Sequence, residues 1–170
     1  LDSSSRKHLA LTESEQSDTH FTLFKSLNRC RTPMGKRLLK FWLHHPLQDI
    51  SAIRMRQSAV KLIKQHVESH ANQHVNDQSL AAILASFGDI ERIVSRMVLG
   101  SARPADCLTL KVALCHLPLL QQKILALGTI QETSLESLHA IVAYPDLAIL
   151  LDKAIDDQPA NFIRDGGVIA

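Results

Sequence analysis

Three histidines that could bind a metal lie four residues apart, at His66, His70 and His74. On a continuous helix this spacing places three imidazoles on one face, where two of them could bind Zn²⁺ or Ni²⁺. The surrounding sequence, H-V-E-S-H-A-N-Q-H-V-N-D-Q, has two asparagines and little apolar content, which favours a frayed helix end and a loop. We therefore predict no metal site. A metal-dependent enzyme is the open alternative, and stoichiometric zinc in the purified chain would support it.

Two other pairs of residues could take part in catalysis. Asp89 and Glu91 form a pair of acids, but acids near the start of a helix more simply stabilise its dipole. Cys107 and Cys115 could act as nucleophiles, yet apolar surroundings disfavour the thiolate and no partner base is indicated, so we expect core residues. Their separation on a continuous helix, about 12 Å, is too large for a disulfide. We predict no catalytic residue, and reduced thiols in an intracellular protein.

The sequence lacks a phosphate-binding loop of the type G-x-x-x-x-G-K-[ST]. Gly35 and Lys36 have neither the upstream glycine nor the following Ser or Thr of such a loop. Residues 20–67 nevertheless hold ten Lys or Arg against Asp49 alone, a net charge of +9, while residues 128–170 carry −5. Without stacking aromatics or a recognition motif, the basic block indicates a solvated face or a surface for an acidic neighbouring domain. A stand-alone nucleic-acid-binding module that uses residues 20–67 is the alternative.

Composition predicts an all-α protein. Hydrophobic residues form 45% of the 170 residues, aromatic residues only 4%, and the six glycines are scattered, which favours packing of Leu, Ile and Ala between helices. The length suits one domain. No apolar run approaches the roughly 18 to 20 residues of a membrane span, and the first residues lack a signal-peptide core. We expect a soluble chain, and its start at Leu1 suggests an excerpt of a longer polypeptide.

The clearest helix is predicted between Thr32 and Pro46. Thr32 can cap its start, Pro33 fits its first turn, and Pro46 cannot continue it. Its apolar positions follow the helical spacing i, i+4, i+7, i+8 and i+11. They are Met34, Leu38, Phe41, Trp42 and His45, and Leu39 and Leu43 widen the apolar arc. We expect this face to be buried, with Lys36, Arg37, Lys40 and His44 on the other side.

Further helices are predicted at other caps and prolines. Asp49 begins one, Asp89 restarts the chain after Gly88, and Gly100 ends that second helix in a left-handed turn. The capping signals that open the later helices are Pro104, the capping box at 133–136, and Pro145 with Asp146.

The helix that begins at Pro104 has apolar residues on more than one side, which predicts a central position. Pro118 should kink or restart it. Residues 159–170 indicate an extended segment around a Gly-Gly turn. The predicted fold is an irregular multi-helix bundle with a short extended C-terminal segment.

Several segments, taken in order, resemble one family. Residues 32–47, T-P-M-G-K-R-L-L-K-F-W-L-H-H-P-L, resemble the pattern T-P-M-G-x-R-L-L-x-x-W-L-x-x-P-L of the MutS family of DNA mismatch-recognition ATPases. Residues 1–11 resemble its L-D-x-x-T-x-x-N-L-E-L, with departures at Ser5, His8 and Ala10. The other matching segments are R-Q-S-A-V at 56–60, G-D-I-E-R-I-V-S-R at 88–96, A-R-P-A-D at 102–106 and R-D-G-G-V-I at 164–169.

The resemblance implies that residues 1–170 are the core or lever domain, which relays conformational change between a nucleotide-binding domain and a DNA clamp. It implies no catalysis in this chain. ATP, magnesium and mismatched double-stranded DNA would be ligands of a homodimeric parent in the bacterial cytoplasm, with connector, ATPase and clamp domains as neighbours and a MutL-type repair partner. The candidate structural or coupling residues are Pro33, Gly35, Arg37, Trp42, Pro46, Arg92, Arg103, Pro104, Arg164, Asp165, Gly166 and Gly167.

The first prediction follows from the missing phosphate-binding loop. The chain should neither bind nor hydrolyse MgATP, because no glycine-rich backbone is present to cradle the phosphates. Isothermal titration calorimetry of the 170-residue chain with MgATP should give only heats of dilution. Saturable binding would contradict the prediction.

Overall fold

The computed structural model describes residues 2–13, 22–69, 79–127, 141–160 and 166–169. Its helices are α1 (Ser3–His8), α2 (Leu23–Leu27), α3 (Pro33–His44), α4 (Ile50–Ser69), α5 (Leu80–Ser86), α6 (Ile90–Val98), α7 (Pro104–Leu125) and α8 (Pro145–Ala154). Strand-like pairing within these ranges is limited to one antiparallel bridge between Ile155 and Ile169. The predicted all-α class is confirmed. The capping box expected at 133–136 lies outside the described residues.

Packing divides the chain into two compact units, residues 1–54 and 55–170. Helix α4 begins in the first unit and continues into the second. The single domain expected for residues 1–170 stays a prediction. Among the described helices, none is both long enough and apolar enough to cross a bilayer.

The first unit starts with a short capped helix, and the start of α2 lies against the segment that follows this helix. The Asp2 carboxylate accepts a hydrogen bond from the Ser5 backbone N–H at 2.6 Å, which caps α1. Backbone N–H groups of Leu23 and Phe24 donate to the carbonyls of Ala10 and Leu11 at 2.9 and 2.8 Å. These bonds hold the start of α2 against the segment that follows α1.

Both predicted ends of α3 are confirmed. The Thr32 hydroxyl accepts from the Gly35 N–H at 3.0 Å, and Pro33 occupies the first helical position. The helix ends at His44, and Pro46 follows two residues later. Local capping chemistry therefore fixes this helix.

The face of α3 that was expected to be buried is open in the first unit. Leu38 is 48% exposed and Phe41 56% exposed, and no residue of α3 is buried. Contact with α2 instead involves Lys40, whose ammonium lies 5.0 Å from the centre of the Phe24 ring. Trp42 is half-buried. The prediction of a buried face is wrong because helical spacing defines which residues share a face, but not which face a neighbour covers.

The second unit is organised around α7, which contacts α5, α6 and α8. Its core cluster contains Ile83 from α5 with Leu120 and Ile124 from α7. Partly buried apolar side chains surround this cluster: Leu80, Leu84, Phe87, Leu117, Leu119 and Ile141. The central position predicted for the helix at Pro104 is confirmed.

Two outcomes were predicted at Pro118, a kink or a restart of the helix; the restart is wrong, and the kink stays a prediction. Helix α7 runs from Pro104 to Leu125 without a restart, although Pro118 lies inside it. Proline removes one intrahelical hydrogen bond, at Leu114. Leu114 and Leu120, on either side, are both buried, so tertiary packing maintains the helix across this lost bond.

The other predicted stops and starts are confirmed. Asp49 and Asp89 accept hydrogen bonds from the backbone N–H groups of Ala52 (2.8 Å) and Arg92 (3.4 Å) at the starts of α4 and α6. Gly100 follows α6 with φ +65°. Gly166 and Gly167 have φ of +73° and +62°, and the Val168 carbonyl accepts from the Asp156 N–H at 3.1 Å. Both glycines are therefore in left-handed conformations that suit the predicted Gly-Gly turn, and Ile169 beyond it pairs with Ile155.

The close approach of Gly35 to the Thr32 cap makes the second prediction. A Cβ at position 35 would lie 2.9 Å from the Thr32 hydroxyl, so Gly35→Ala should displace the cap and lower the free energy of unfolding by about 1 kcal/mol. In a Thr32→Ala background the hydroxyl is absent. The same substitution should then stabilise the chain by up to about 1 kcal/mol, because alanine favours a helix more than glycine.

Urea unfolding followed by circular dichroism would measure both effects in the four variants of this cycle. An effect of the same sign in the two backgrounds would show that the contact between residues 32 and 35 does not decide the choice of glycine.

Candidate functional site

The candidate residues in the first unit lie along α3 and do not converge on one pocket. Pro33 and Pro46 are exposed at the two ends of the helix. Gly35, Arg37 and Trp42 are half-buried. These positions define and orient a helix, so their placement suits a structural role.

The described candidates of the second unit lie on α6, at the start of α7 and in the C-terminal segment. Arg92 lies on α6, where its guanidinium is 3.5 Å from the Asp89 carboxylate. Arg103 is the N-cap residue of α7, and Pro104 is buried at the first helical position. Gly166 and Gly167 form the exposed turn described above. Arg164 and Asp165 lie outside the described residues.

A two-pronged ion pair of the second unit joins α6 to α7. The Arg96 guanidinium donates twice to the Asp106 carboxylate, from Nε to Oδ2 at 2.9 Å and from Nη2 to Oδ1 at 2.5 Å. The same carboxylate accepts from the Arg103 backbone N–H at 2.9 Å, which caps α7. We call this group of three residues the α6–α7 clasp.

Electrostatics favours the ionised form of the clasp. Hydrogen bonds from Arg96 lower the pKa of the Asp106 carboxyl below its usual value, and the hydrogen bond to Asp106 raises the pKa of Arg96. The side chain of Asp106 is 14% exposed and that of Arg96 is 37% exposed, so solvent screening is incomplete. A two-pronged arginine–carboxylate pair fixes orientation as well as distance.

Sequence reasoning selected Arg92 and Arg103 but missed Arg96 and Asp106. A signal was available in A-R-P-A-D, because an acid three residues after a helix N-cap can accept from the N-cap N–H. The arginine partner lies ten residues earlier, across a turn, and no local rule selects it.

A second ionic cluster joins α7 to α8. The Lys111 ammonium lies 3.0 Å from the Asp152 carboxylate and 3.1 Å from that of Asp157. Lys111 is 15% exposed, and the two acids, Asp152 first, raise the pKa of its ammonium. Both acids are largely solvent-exposed, so each pair stabilises only modestly. The cluster was not predicted.

A polar contact centred on His44 joins α1 to the end of α3. Arg6 Nη1 lies 3.3 Å from His44 Nδ1, and Thr12 Oγ1 lies 2.9 Å from Nε2. A guanidinium only donates, so Nδ1 accepts and Nε2–H donates to Thr12. Burial, and then the charge of Arg6, lowers the pKa of His44. Both effects favour the neutral form of the ring.

A small cleft of about 150 Å³ surrounds this contact. Its lining residues are Ser3, Arg6, Lys7, Thr12, Glu13 and His44. The lining carries both signs of charge and was not predicted from sequence.

The residues considered for metal binding and catalysis do not assemble into a site within the described ranges. His66 is half-buried on α4, while His70 and His74 lie outside the described residues. The described part of the chain contains no group of three His, Cys, Asp or Glu placed to hold a metal. Burial raises the pKa of the half-buried Cys107 thiol. Cys115 is exposed, so its prediction as a core residue is wrong; it lies on a side of α7 that its neighbours leave uncovered.

The described residues form an all-α structure in which apolar packing and ion pairs join neighbouring helices. Residues 4–170 match the family model of MutS domain III. This match covers nearly the whole sequence, so the chain belongs to the MutS family of DNA mismatch repair proteins. Within that family it corresponds to a domain other than the ATPase domain.

The α6–α7 clasp makes the third prediction. Asp106→Asn keeps the shape of the side chain and its acceptor for the Arg103 N–H, but removes the charge that Arg96 binds. We expect the free energy of unfolding to fall by about 1 to 2 kcal/mol at pH 7. Because the pKa of Asp106 is lowered by folding, the clasp stabilises fully above the unfolded pKa, near 3.9, and loses its effect as pH falls through the folded value.

The stability difference between wild type and Asp106→Asn should therefore be constant from neutral pH down to about pH 5 and shrink below about pH 4. Urea unfolding at several pH values would measure it. Asp146→Asn, in the exposed first turn of α8, is the control and should show a smaller difference. If the stability difference between wild type and Asp106→Asn stayed unchanged below about pH 4, the charge of Asp106 would be excluded as its source.

Proposed function

We propose that the chain is the core or lever domain of a MutS-family mismatch repair protein, with residues 1–170 forming one domain. In this role it relays conformational change between an ATPase domain and a DNA clamp and performs no chemistry itself. ATP and magnesium are then ligands of another domain of the parent. Mismatched duplex DNA, connector and clamp domains, a second copy of the parent and a MutL-type protein are its partners.

The observation that carries the proposal is that contacts with neighbouring helices hold α7 along its length. This helix has 22 residues and is therefore about 33 Å long. The α6–α7 clasp holds its start, Lys111 ties its middle to α8, and Leu120 and Ile124 pack its second half against α5. A relay needs a body that moves as a unit, because coupling between distant sites travels through packed, rigid elements.

The open face of α3 supports the same role. Leu38 and Phe41 expose about half of their side chains on one side of a helix with well-defined ends. Apolar groups exposed side by side typically mark a contact with another protein surface. We assign this face to a neighbouring domain of the parent.

The role is tested in a four-corner cycle, with DNA affinity measured in the presence and absence of ATP in the multidomain parent. Phe41→Ala removes an exposed ring from the open face, and Trp42→Phe alters the half-buried position beside it. Each should leave the two separate affinities near wild type while reducing the coupling free energy, typically 1 to 3 kcal/mol, by about 0.5 to 2 kcal/mol.

Val60→Ala, at an equally exposed apolar position on α4, is the matched control and should leave coupling unchanged. Thermal melting would confirm that every variant folds. Unchanged coupling in both α3 variants would reject the relay role. Loss of DNA affinity without nucleotide would favour the alternative, a module that uses residues 20–67 to contact nucleic acid directly.

A further inference from the structure

Residues 22–54 carry an excess of positive charge. They contain seven Lys or Arg and a single acid, Asp49, a net charge of +6. The Asp49 carboxylate is already engaged in capping α4, where it accepts from the Ala52 N–H at 2.8 Å and from the Ser51 hydroxyl. Five of the cations are exposed on α2, on the connection to α3 and on the first two turns of α3. They are Lys25, Arg29, Arg31, Lys36 and Lys40, which we call the cationic ridge.

Hydrogen bonds fix the backbone that carries this ridge. Arg29 donates to the carbonyls of Ser26 and Asn28 at 3.4 and 3.2 Å, which places its guanidinium at the end of α2. The Asn28 side chain accepts from the Cys30 N–H at 3.2 Å and shapes the connection. Lys40 lies over the Phe24 ring and joins the two helices. Charges on a preformed surface lose less conformational entropy when they bind a partner.

Helix α3 separates its cations from its apolar face. Lys36 and Lys40 are one turn apart, about 6 Å along the axis. With 3.6 residues per turn, Leu38 and Phe41 are centred about 150° away around the helix. Leu43 and Leu39 lie closer to the two lysines, about 40° and 80° from their centre, but both are half-buried. The exposed large apolar residues of α3, which could anchor a protein–protein contact, are therefore on the other side. Each strand of duplex DNA presents one phosphate per roughly 3.4 Å of helix axis, so two turns of α3 can face more than one phosphate.

We propose that the cationic ridge is an auxiliary, sequence-independent contact for the phosphate backbone of duplex DNA. The proposal rests on the proposed function in a DNA repair protein and adds a second role to α3, whose apolar face contacts a neighbouring domain. Lysine and arginine that reach phosphates position a protein on DNA and do not read its bases. The contact is therefore salt-dependent and indifferent to mismatches.

The test uses the 170-residue chain and a labelled DNA duplex of about 30 base pairs, with anisotropy measured between about 50 and 200 mM salt. Lys36→Gln with Lys40→Gln removes two charges from the ridge. Lys61→Gln with Lys153→Gln removes two exposed charges from α4 and α8 and is the control. The ridge variant should make the dependence of log K on log salt shallower by about 1.8 and weaken binding at least tenfold at about 100 mM salt, since each phosphate contact contributes a slope of about 0.9.

Each of the following outcomes would overturn the proposal: no DNA binding by the wild-type chain, no change in the ridge variant, equal losses in the ridge and control variants, or equal competition by polyglutamate and unlabelled duplex. Equal competition would instead identify an acidic protein as the partner. Matched and mismatched duplexes should bind equally, and a preference for the mismatch would also contradict the proposal. The DNA-binding test involves no nucleotide. It can therefore reject the ridge proposal while the coupling cycle supports the relay role, or support the ridge proposal while the coupling cycle rejects the relay role.

Discussion

The second unit depends on the apolar surface of α7, which has to be covered on more than one side. Helices α5, α6 and α8 provide that cover, and Ile83, Leu120 and Ile124 form the core between α5 and α7. Burying one such side chain contributes about 1.5 to 3 kcal/mol, whereas an exposed ion pair contributes about 1 kcal/mol or less. Apolar burial therefore holds the helices together. The ionic contacts of α7 mainly set the positions of α6 and α8 against it.

Two groups of polar contacts set the positions of α6 and α8 against α7. Asp106 caps α7 and binds Arg96, so the start of one helix and the face of another are fixed by a single carboxylate. Lys111 connects α7 to Asp152 of α8 and to Asp157 just beyond it, so the end of α8 is also held. A body fixed in this way can transmit a displacement, which is the property that the lever proposal requires of it.

In the first unit, α3 carries two unlike surfaces on a helix with well-defined ends. Leu38 and Phe41 present an apolar face, and Lys36 and Lys40 present a cationic one. Helical periodicity separates the two faces, so one element can contact a protein domain and a phosphate backbone at the same time. The proposed relay and the proposed DNA contact thus use different sides of α3.

The sequence by itself determined the helical class, the family and most helix ends, because caps and turns depend on residues only a few positions apart. Thr32, Asp89 and Gly100 act as predicted for this reason. Tertiary structure alone decided which faces are covered and which distant charges meet. It left the apolar face of α3 open and brought Arg96 to Asp106, since both outcomes depend on how whole helices pack and not on the spacing within one helix.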